Sequence, residues 1–346
     1  SIPFSKLRLE NKAFRFAFLR LINIGINILL NVFYIWLCPY LMIHGNPASK
    51  ELIELVYNPE IGVGYVFIAN LASSLATFLL FCPDIIRTLR SSMQIGLFEW
   101  NRWKEMMRYS LPLLVGGLAG ITNEMFSRVS LKYQLPDERA MHDLGVFGAC
   151  YKVAILMTIF IQTFRFAAEP FFFSHANHKN ARQIYADVMD WFVITCSFIY
   201  LAVMLFMHLV QYFIGERYHE GLFIVPILLL ANMFLGIYYN LSIWYKLNDK
   251  TILGAWMTVG GAVLTILLNY WWIPEYGYLG ASWATFTVYL LMMVVSYILG
   301  QKFYRVPYRL VRLLAVSLLA VFLAAFSGFL PEGNTVSGWV GRLGFL

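Results

Sequence analysis

The sequence predicts an all-α, polytopic membrane protein, and three observations lead to that prediction: its composition, the length of its apolar runs and an internal repeat. Of the 346 residues, 60% are hydrophobic and 13% are charged, whereas soluble globular domains carry about 25% charged residues. The mean hydropathy is +0.65. The apolar residues fall in runs of about 20, the length at which a helix crosses the hydrocarbon core of a bilayer. A soluble globular domain is therefore excluded.

These runs predict nine membrane spans. A further apolar stretch begins near Trp339 and continues to Leu346. The chain starts at Ser1 without a methionine and stops inside an apolar stretch, so we expect it to be a fragment. The predicted spans are 14–37, 62–82, 110–131, 145–171, 189–213, 222–245, 252–273, 278–300 and 312–330.

The distribution of lysine and arginine predicts the orientation of these spans. Counted from the N-terminus, alternate loops hold seventeen of these residues, and the opposite loops hold four. Cytoplasmic loops carry the excess of positive charge in membrane proteins. The N-terminus of this chain is therefore expected in the cytoplasm, and the net charge of +7 reflects membrane orientation rather than nucleic-acid binding.

An internal repeat indicates how the spans are organised. Residues 26–35 and 264–273 match at five of ten positions, which are Ile28/Ile266, Leu29/Leu267, Leu30/Leu268, Asn31/Asn269 and Ile35/Ile273. The copies lie in the first and seventh spans, so the period is six helices and both copies run outward from the cytoplasm. Parallel repeats related by an axis along the membrane normal occur in secondary transporters.

The repeat predicts two six-helix lobes related by a pseudo-two-fold axis along the membrane normal, with two extra C-terminal helices. The first span would be the fifth helix of its lobe, so about four helices are expected upstream of Ser1. The expected divisions are the last two helices of the first lobe (1–82), an inter-lobe linker (83–109), a complete second lobe (110–300) and additional C-terminal helices, the last truncated (301–346).

The linker 83–109 has an amphipathic pattern. Large apolar residues recur at three- or four-residue spacing, with basic residues between them. The apolar residues are Ile86, Leu89, Met93, Leu97, Trp100 and Trp103. This spacing predicts an amphipathic helix at the membrane interface. An ordinary cytoplasmic loop is the alternative.

Charged side chains inside spans are the candidate functional residues, because each costs at least about 2.5–3.5 kcal/mol at a helix centre unless it faces a cavity or a partner. In the span 110–131, the residues Gly117, Gly120, Glu124 and Arg128 share one helical face. Either this face lines a cavity, or Glu124 and Arg128 form an ion pair along their own helix that only lowers the cost of insertion.

The next span, 145–171, carries a second set of polar residues. Gln162, Arg165 and Glu169 lie within about 60° of one another around the helix, and Arg165 can pair with Glu169. Lys152 lies off this face near the outer end, where it can snorkel toward water. Because neighbouring helices each carry a carboxylate and a guanidinium, we favour a water-filled cavity between the lobes that is lined with cations. Such a cavity suits an anionic substrate, since arginine binds phosphate oxygens bidentately.

The first span has a polar face as well. Asn23, Asn27 and Asn31 lie with Arg20 and Tyr34 within about 80° of arc. Asparagine at every fourth position either lines a cavity or forms hydrogen bonds between helices. Weaker polar faces occur in two later spans. In the sixth span the polar residues are Asn232, Gly236 and Tyr239, followed by Tyr245 and Lys246 at its inner boundary. In the seventh span they are Thr258, Gly261, Thr265 and Asn269.

No catalytic, metal or cofactor site is predicted. The four cysteines lie in or at the ends of spans and show no metal-ligand spacing, and the six histidines lie mostly in loops. Neither a Walker A sequence nor a dinucleotide fingerprint is present. We therefore expect a protein that is not an enzyme and needs no cofactor.

Three motifs resemble those of a known family. The stretch 110–120 (SLPLLVGGLAG), followed by Asn123, Glu124 and Arg128, resembles the helix that opens the second lobe of polysaccharide flippases. The stretches 151–154 (YKVA) and 160–172 (FIQTFRFAAEPFF) are similar to the following helix of the same proteins. The stretch 276–285 (YGYLGASWAT) resembles a turn and helix start found across the multidrug/oligosaccharidyl-lipid/polysaccharide exporter superfamily.

The resemblance covers nearly the whole chain and implies a 12- or 14-helix O-antigen flippase. Such a protein would move undecaprenyl-pyrophosphate-linked oligosaccharide across the bacterial inner membrane by alternating access. Its expected partners are that lipid-linked oligosaccharide, membrane lipid, polysaccharide assembly proteins and H⁺ or Na⁺ as a coupling ion. The resemblance implies that Arg128 and Arg165 hold the anionic head group with Glu124 and Glu169 as their partners. The wider set of cavity candidates is Asn123, Gln162, Lys152, Asn23, Asn27 and Asn31.

Three other functions remain as alternatives. A multidrug/cation antiporter of the same superfamily would favour exposed carboxylates, whereas each in-span carboxylate here has an arginine four residues away. Polytopic O-antigen polymerases and ligases resemble one another in carrying a large polar periplasmic loop. The longest outer loop predicted here, 38–61, is short by comparison. A channel would need a selectivity-filter sequence, which is absent.

Overall fold

The computed structural model describes residues 7, 12–46, 50, 53, 56–95 and 99–326, without the side chains of 13, 88, 89 and 91–95. Among these residues no strand occurs, and six helices are long and apolar enough to cross a membrane. The described part of the protein is therefore all-α, and its helices fit a multi-pass membrane protein, as the composition predicts. The six helices are Phe14–His44, Pro59–Arg87, Asp137–His175, Ala181–Leu205, Glu216–Leu247 and Thr251–Phe303.

The chain divides into two compact units, Ser1–Trp100 and Asn101–Leu346. The first unit contains, in order, α1 (Ala13–Asn31), a π-helical segment (Val32–Leu37), α2 (Cys38–His44), a 3₁₀ helix (Pro59–Gly64) and α3 (Tyr65–Ile95). Helices α1 and α3 pack against each other through Asn23, whose amide donates to the Ser73 carbonyl oxygen (3.0 Å) and to Thr77 Oγ1 (2.8 Å). Many large apolar side chains on both helices are exposed, as expected for helices in contact with lipid or with other helices.

The second unit contains the remaining helices. In chain order they are α4 (Trp100–Gln134), α5 (Asp137–His175), α6 (Ala181–Leu205), α7 (Met207–Val210), 3₁₀ helices at Gln211–Phe213 and Glu216–Ile224, α8 (Val225–Leu241), α9 (Ile243–Leu247), α10 (Thr251–Phe303) and α11 (Leu310–Phe326).

The core of the second unit lies where α5, α6 and α8 meet. Phe192 of α6, Met157 and Ile161 of α5 and Leu228 of α8 are almost completely buried in one cluster. Gly236 of α8 allows the close approach, because a Cβ atom there would lie 2.6 Å from the Phe192 ring and 2.9 Å from Ile161. Helix packing in a membrane depends on such small residues, since lipid is as apolar as the side chains it would replace.

Helix α10 contains the two spans predicted at 252–273 and 278–300. Its helical geometry breaks at Gly277, where φ is 57° and ψ is −132°. A left-handed φ is strained for any residue with a Cβ atom. Gly277 also lies against the Asp143 carboxylate, so an added Cβ would collide with it. The turn between the two halves of α10 therefore requires glycine at this position.

Two predicted spans correspond to helices that are not among the six. The span 110–131 lies within α4, which has Asn123 and Glu124 among its apolar residues. The span 312–330 corresponds to α11, whose described part is shorter than the others at 17 residues. The apolar stretch predicted from Trp339 lies outside the described residues.

The predicted linker 83–109 does not form a separate helix in its described part. Residues 83–95 continue α3 beyond Pro83, and residues 100–109 form the beginning of α4. Leu97 and the side chains of Leu89 and Met93 lie outside the described part. The amphipathic spacing thus belongs to the extensions of two longer helices.

Segments predicted on the same side of the membrane contact each other in the second unit. On the predicted outer side, His142 contacts Glu220 at 3.3 Å, and the backbone N–H of Tyr278 donates to Asp143 Oδ2 at 3.3 Å. On the predicted inner side, Arg309 contacts Asp187 at 2.8 Å. The helices thus alternate in direction as predicted for 110–311, and the assignment of one side to the cytoplasm stays a prediction.

Candidate functional site

A cavity of about 380 Å³ lies inside the second unit, among α4, α5, α8, α9 and α10. Its wall is mixed, with apolar side chains beside hydroxyl, amide and charged groups. The charged residues in the wall are Glu124, Arg165 and Lys246. Because intramembrane charges mark substrate or ion pathways, this cavity is the candidate functional site.

The α4 side of the cavity is formed by the glycine-rich face predicted from the sequence. Gly116, Gly117 and Gly120 lie in the wall, and a Cβ atom on Gly117 would meet no heavy atom within 4 Å. Glu124 follows one turn later, also in the wall. Its carboxylate makes no ion pair or hydrogen bond with the described part of the chain. The glycines thus leave space, and Glu124 leaves a carboxylate available in it.

Arg128 does not form the ion pair with Glu124 that the spacing allows. Its guanidinium donates to the backbone carbonyl oxygen of Glu124 at 3.3 Å and lies 4.5 Å from the centre of the Tyr151 ring. Arginine over an aromatic face gains from the ring quadrupole. Arg128 is not part of the cavity wall, whereas Arg165 is. The two arginines expected to hold the anionic group together therefore do not line the same cavity.

Two cations of the cavity wall, Arg165 and Lys246, share one carboxylate, that of Glu169. Arg165 Nε lies 3.7 Å from Glu169 Oε1, the pair predicted along α5, and Lys246 Nζ lies 2.5 Å from the same oxygen. The Arg165 guanidinium also lies 4.8 Å from the centre of the Tyr239 ring. Glu169 is outside the cavity wall but lines a smaller recess that shares both cations with the cavity.

Four tyrosines border the cavity. Tyr238 and Thr258 share a hydrogen bond of 3.0 Å between their hydroxyl groups. The other three are Tyr239, Tyr245 and Tyr289. Such walls can stack on a ring and hydrogen-bond to hydroxyl groups at the same time. Gln162 of α5 adds an amide to this lining.

Asn123 fixes α4 against the first half of α10. Thr265 Oγ1 donates to Asn123 Oδ1 at 3.0 Å, and Asn123 Nδ2 donates to the Thr258 carbonyl oxygen at 3.4 Å. Asn123 is buried and also borders the cavity. Its amide is therefore committed to holding the helices together.

The remaining site candidates lie elsewhere. Lys152 is exposed on α5 and is not part of the cavity wall. In the first unit, Asn27 Nδ2 donates to Ser73 Oγ at 3.4 Å, and Asn31 Nδ2 donates to the Asn27 carbonyl oxygen at 2.8 Å. Asn23 and Asn27 thus bond to α3, whereas the printed hydrogen bonds of the Asn31 amide stay within α1.

Lys246 is a charged residue of the cavity wall that was not among the site candidates predicted from the sequence. It follows Tyr245 at the inner end of the sixth predicted span, where a lysine is usual as an interfacial residue. Its contact with Glu169 joins residues 77 positions apart, so no local spacing indicates it. The available signal for Lys246 was the polar face formed on α8 by Asn232, Gly236 and Tyr239, which precede it in the same predicted span.

Outside the spans, on the predicted inner side, two groups have shifted pKa values. Burial, together with the negative charges of Asp249 and Glu169, raises the pKa of Tyr109, so this phenol stays neutral at physiological pH. Hydrogen bonds to Asp190 and Asp187 raise the pKa of Arg309. Both shifts leave the ordinary charge state unchanged.

Compared with known proteins, the chain matches no protein-family profile, no curated protein and no solved structure.

Proposed function

We propose that this chain is part of a transporter that moves undecaprenyl-pyrophosphate-linked oligosaccharide across the bacterial inner membrane by alternating access. The observation that carries the proposal is the pair of cations, Arg165 and Lys246, in the wall of a polar cavity among membrane-length helices. A pyrophosphate group would accept hydrogen bonds from both. Tyrosine side chains, the type that borders this cavity, can pack against a sugar ring and hydrogen-bond to its hydroxyl groups.

The proposal includes the finer architecture expected from the internal repeat. In it, the second unit contains the second six-helix lobe with α11 beyond it, and the first unit belongs to a lobe whose other helices lie upstream. The N-terminus lies in the cytoplasm, and H⁺ or Na⁺ supplies the driving force. Membrane lipid and polysaccharide assembly proteins are the remaining proposed partners.

The test is the effect of removing one cavity cation on surface polysaccharide in cells. Arg165→Gln in the intact protein is expected to abolish surface polysaccharide while the amount of protein in the membrane stays normal. Arg305→Gln, at an exposed position between α10 and α11, makes the same change of charge and is expected to leave the polymer unchanged. Normal polymer with Arg165→Gln would contradict the proposal.

A second candidate function, a multidrug/cation antiporter, is favoured by Glu124. Its carboxylate lacks the arginine partner that the sequence spacing suggested, and it lies in the cavity wall with Tyr238, Tyr239 and Tyr289. A carboxylate among aromatic rings suits an organic cation. If this function is correct, Glu124→Gln raises drug sensitivity in cells expressing the protein, and Arg165→Gln leaves the polymer unchanged.

A further inference from the structure

Glu169 lies between the two cations of the cavity wall, and its Oε1 is the oxygen that both contact. The cations come from different helices, Arg165 from α5 and Lys246 from α9. Both border the cavity, whereas Glu169 borders only the smaller recess beside it. The carboxylate therefore contacts the cations from outside the space that a substrate would occupy.

An empty cavity requires such a counterion. The Lys246 side chain is only 18% exposed, and an ammonium group withdrawn from water is costly unless an opposite charge lies next to it. An anionic group entering the cavity would supply that charge from the other side. It would also repel the Glu169 carboxylate, because two negative charges near the same cations disfavour each other.

We infer that Glu169 is a displaceable counterion, which neutralises Arg165 and Lys246 in the empty cavity and yields them to the anionic group of the substrate. This inference rests on the proposed function. Competition by Glu169 keeps the affinity for the anion low enough for release, a requirement for any transporter that must bind on one side and let go on the other.

The groups around Glu169 allow this exchange without collapse of the wall. The Tyr239 ring lies against the Arg165 guanidinium and keeps it in position independently of the carboxylate. Tyr109 of α4 is near enough to Glu169 for that carboxylate, after burial and Asp249, to contribute to its raised pKa. The Glu169 side chain is 40% exposed, so its carboxylate has room to move away from the cations when released.

The test is the affinity of the purified intact protein for inorganic pyrophosphate, measured by isothermal titration calorimetry. Glu169→Gln keeps the shape of the side chain and removes the competing charge, so binding is expected to tighten about tenfold. Glu169→Asp shortens the side chain by one methylene group and moves the carboxylate away from the cations, so an intermediate affinity is expected. Glu220→Gln is the matched control, because it removes one carboxylate at an exposed position away from the cavity. Its affinity should equal that of the wild type.

The outcomes separate this inference from the proposed function. Unchanged or weaker binding by folded Glu169→Gln protein, with wild-type binding intact, would show that Glu169 only supports the structure and would overturn the inference alone. If Glu169→Gln does not fold, wild-type affinity in Glu169→Asp overturns it as well. Absence of pyrophosphate binding by the wild type and every variant would overturn the proposed function and the inference together.

Discussion

The carboxylate of Asp143 on α5 accepts a hydrogen bond from the backbone N–H of Tyr278, the residue that follows the left-handed Gly277 in α10. This contact places a negative charge at the start of the second half of α10, where unpaired N–H groups and the helix dipole favour it. Arg139 and His142 lie 3.5 Å from the same carboxylate. The turn of α10 is thus held by a buried acid from a helix 135 residues away in sequence.

Gly277→Ala is therefore expected to destabilise the protein. A left-handed φ costs a residue with a Cβ atom about 1–2 kcal/mol, and the added methyl group also collides with Asp143. The unfolding temperature in detergent should fall measurably. Gly260→Ala is the control in the same helix, since a Cβ atom there meets nothing within 4 Å. An equal effect of both substitutions would show that the turn is not constrained.

Asp190→Asn is expected to loosen the attachment of α11 to α6. Asp190 is almost buried, with its side chain 4% exposed, and contacts Arg309 at 2.6 Å and Arg312 at 3.2 Å. Charge-assisted hydrogen bonds of this kind contribute about 1.5–3 kcal/mol, so loss of the charge should destabilise the protein by about 1–2 kcal/mol. Thermal unfolding measures this.

The neighbouring Asp187→Asn provides the matched control. Asp187 contacts the same Arg309 at 2.8 Å, but its side chain is 47% exposed, and exposed pairs contribute little. Asp187→Asn should leave the unfolding temperature nearly unchanged. A larger effect of Asp187→Asn than of Asp190→Asn would contradict the burial argument.

Gly117→Leu is expected to fill part of the cavity without unfolding the protein. No heavy atom lies within 4 Å of the position of its Cβ, and leucine is a better helix former than glycine by about 0.5–1 kcal/mol. If the proposed function is correct, surface polysaccharide should fall while the unfolding temperature stays the same or rises. Gly148→Leu on α5 is the control, because it also has open space but lies outside the cavity wall. If both variants keep full activity, the space beside Gly117 is not part of the transport path.

The sequence predicts the helices well because span length and apolar composition are local properties. The spans at 145–171 and 189–213 correspond to α5 and the α6–α7 region, and the break between 273 and 278 corresponds to the turn at Gly277. The Arg165–Glu169 pair is also local, four residues apart on one face, and the structure confirms the contact. Helix periodicity carries this much information because one helical face repeats every three or four residues.

The rest of the site depends on contacts between distant residues. The spacing of Glu124 and Arg128 equals that of Arg165 and Glu169, yet Arg128 lies over the Tyr151 ring instead. Lys246 contacts Glu169 across helices, and only packing brings them together. The spacing of the three asparagines of α1 likewise does not show that Asn23 and Asn27 bond to α3 while Asn31 bonds within α1.

The most direct test of the central claim is the binding of undecaprenyl pyrophosphate to the purified intact protein in nanodiscs. If Arg165 and Lys246 hold the anionic group, Arg165→Gln and Lys246→Gln should each weaken binding by about tenfold or more, and Arg305→Gln should leave the affinity unchanged. Wild-type affinity in both cavity variants would contradict the claim that these cations form the binding site.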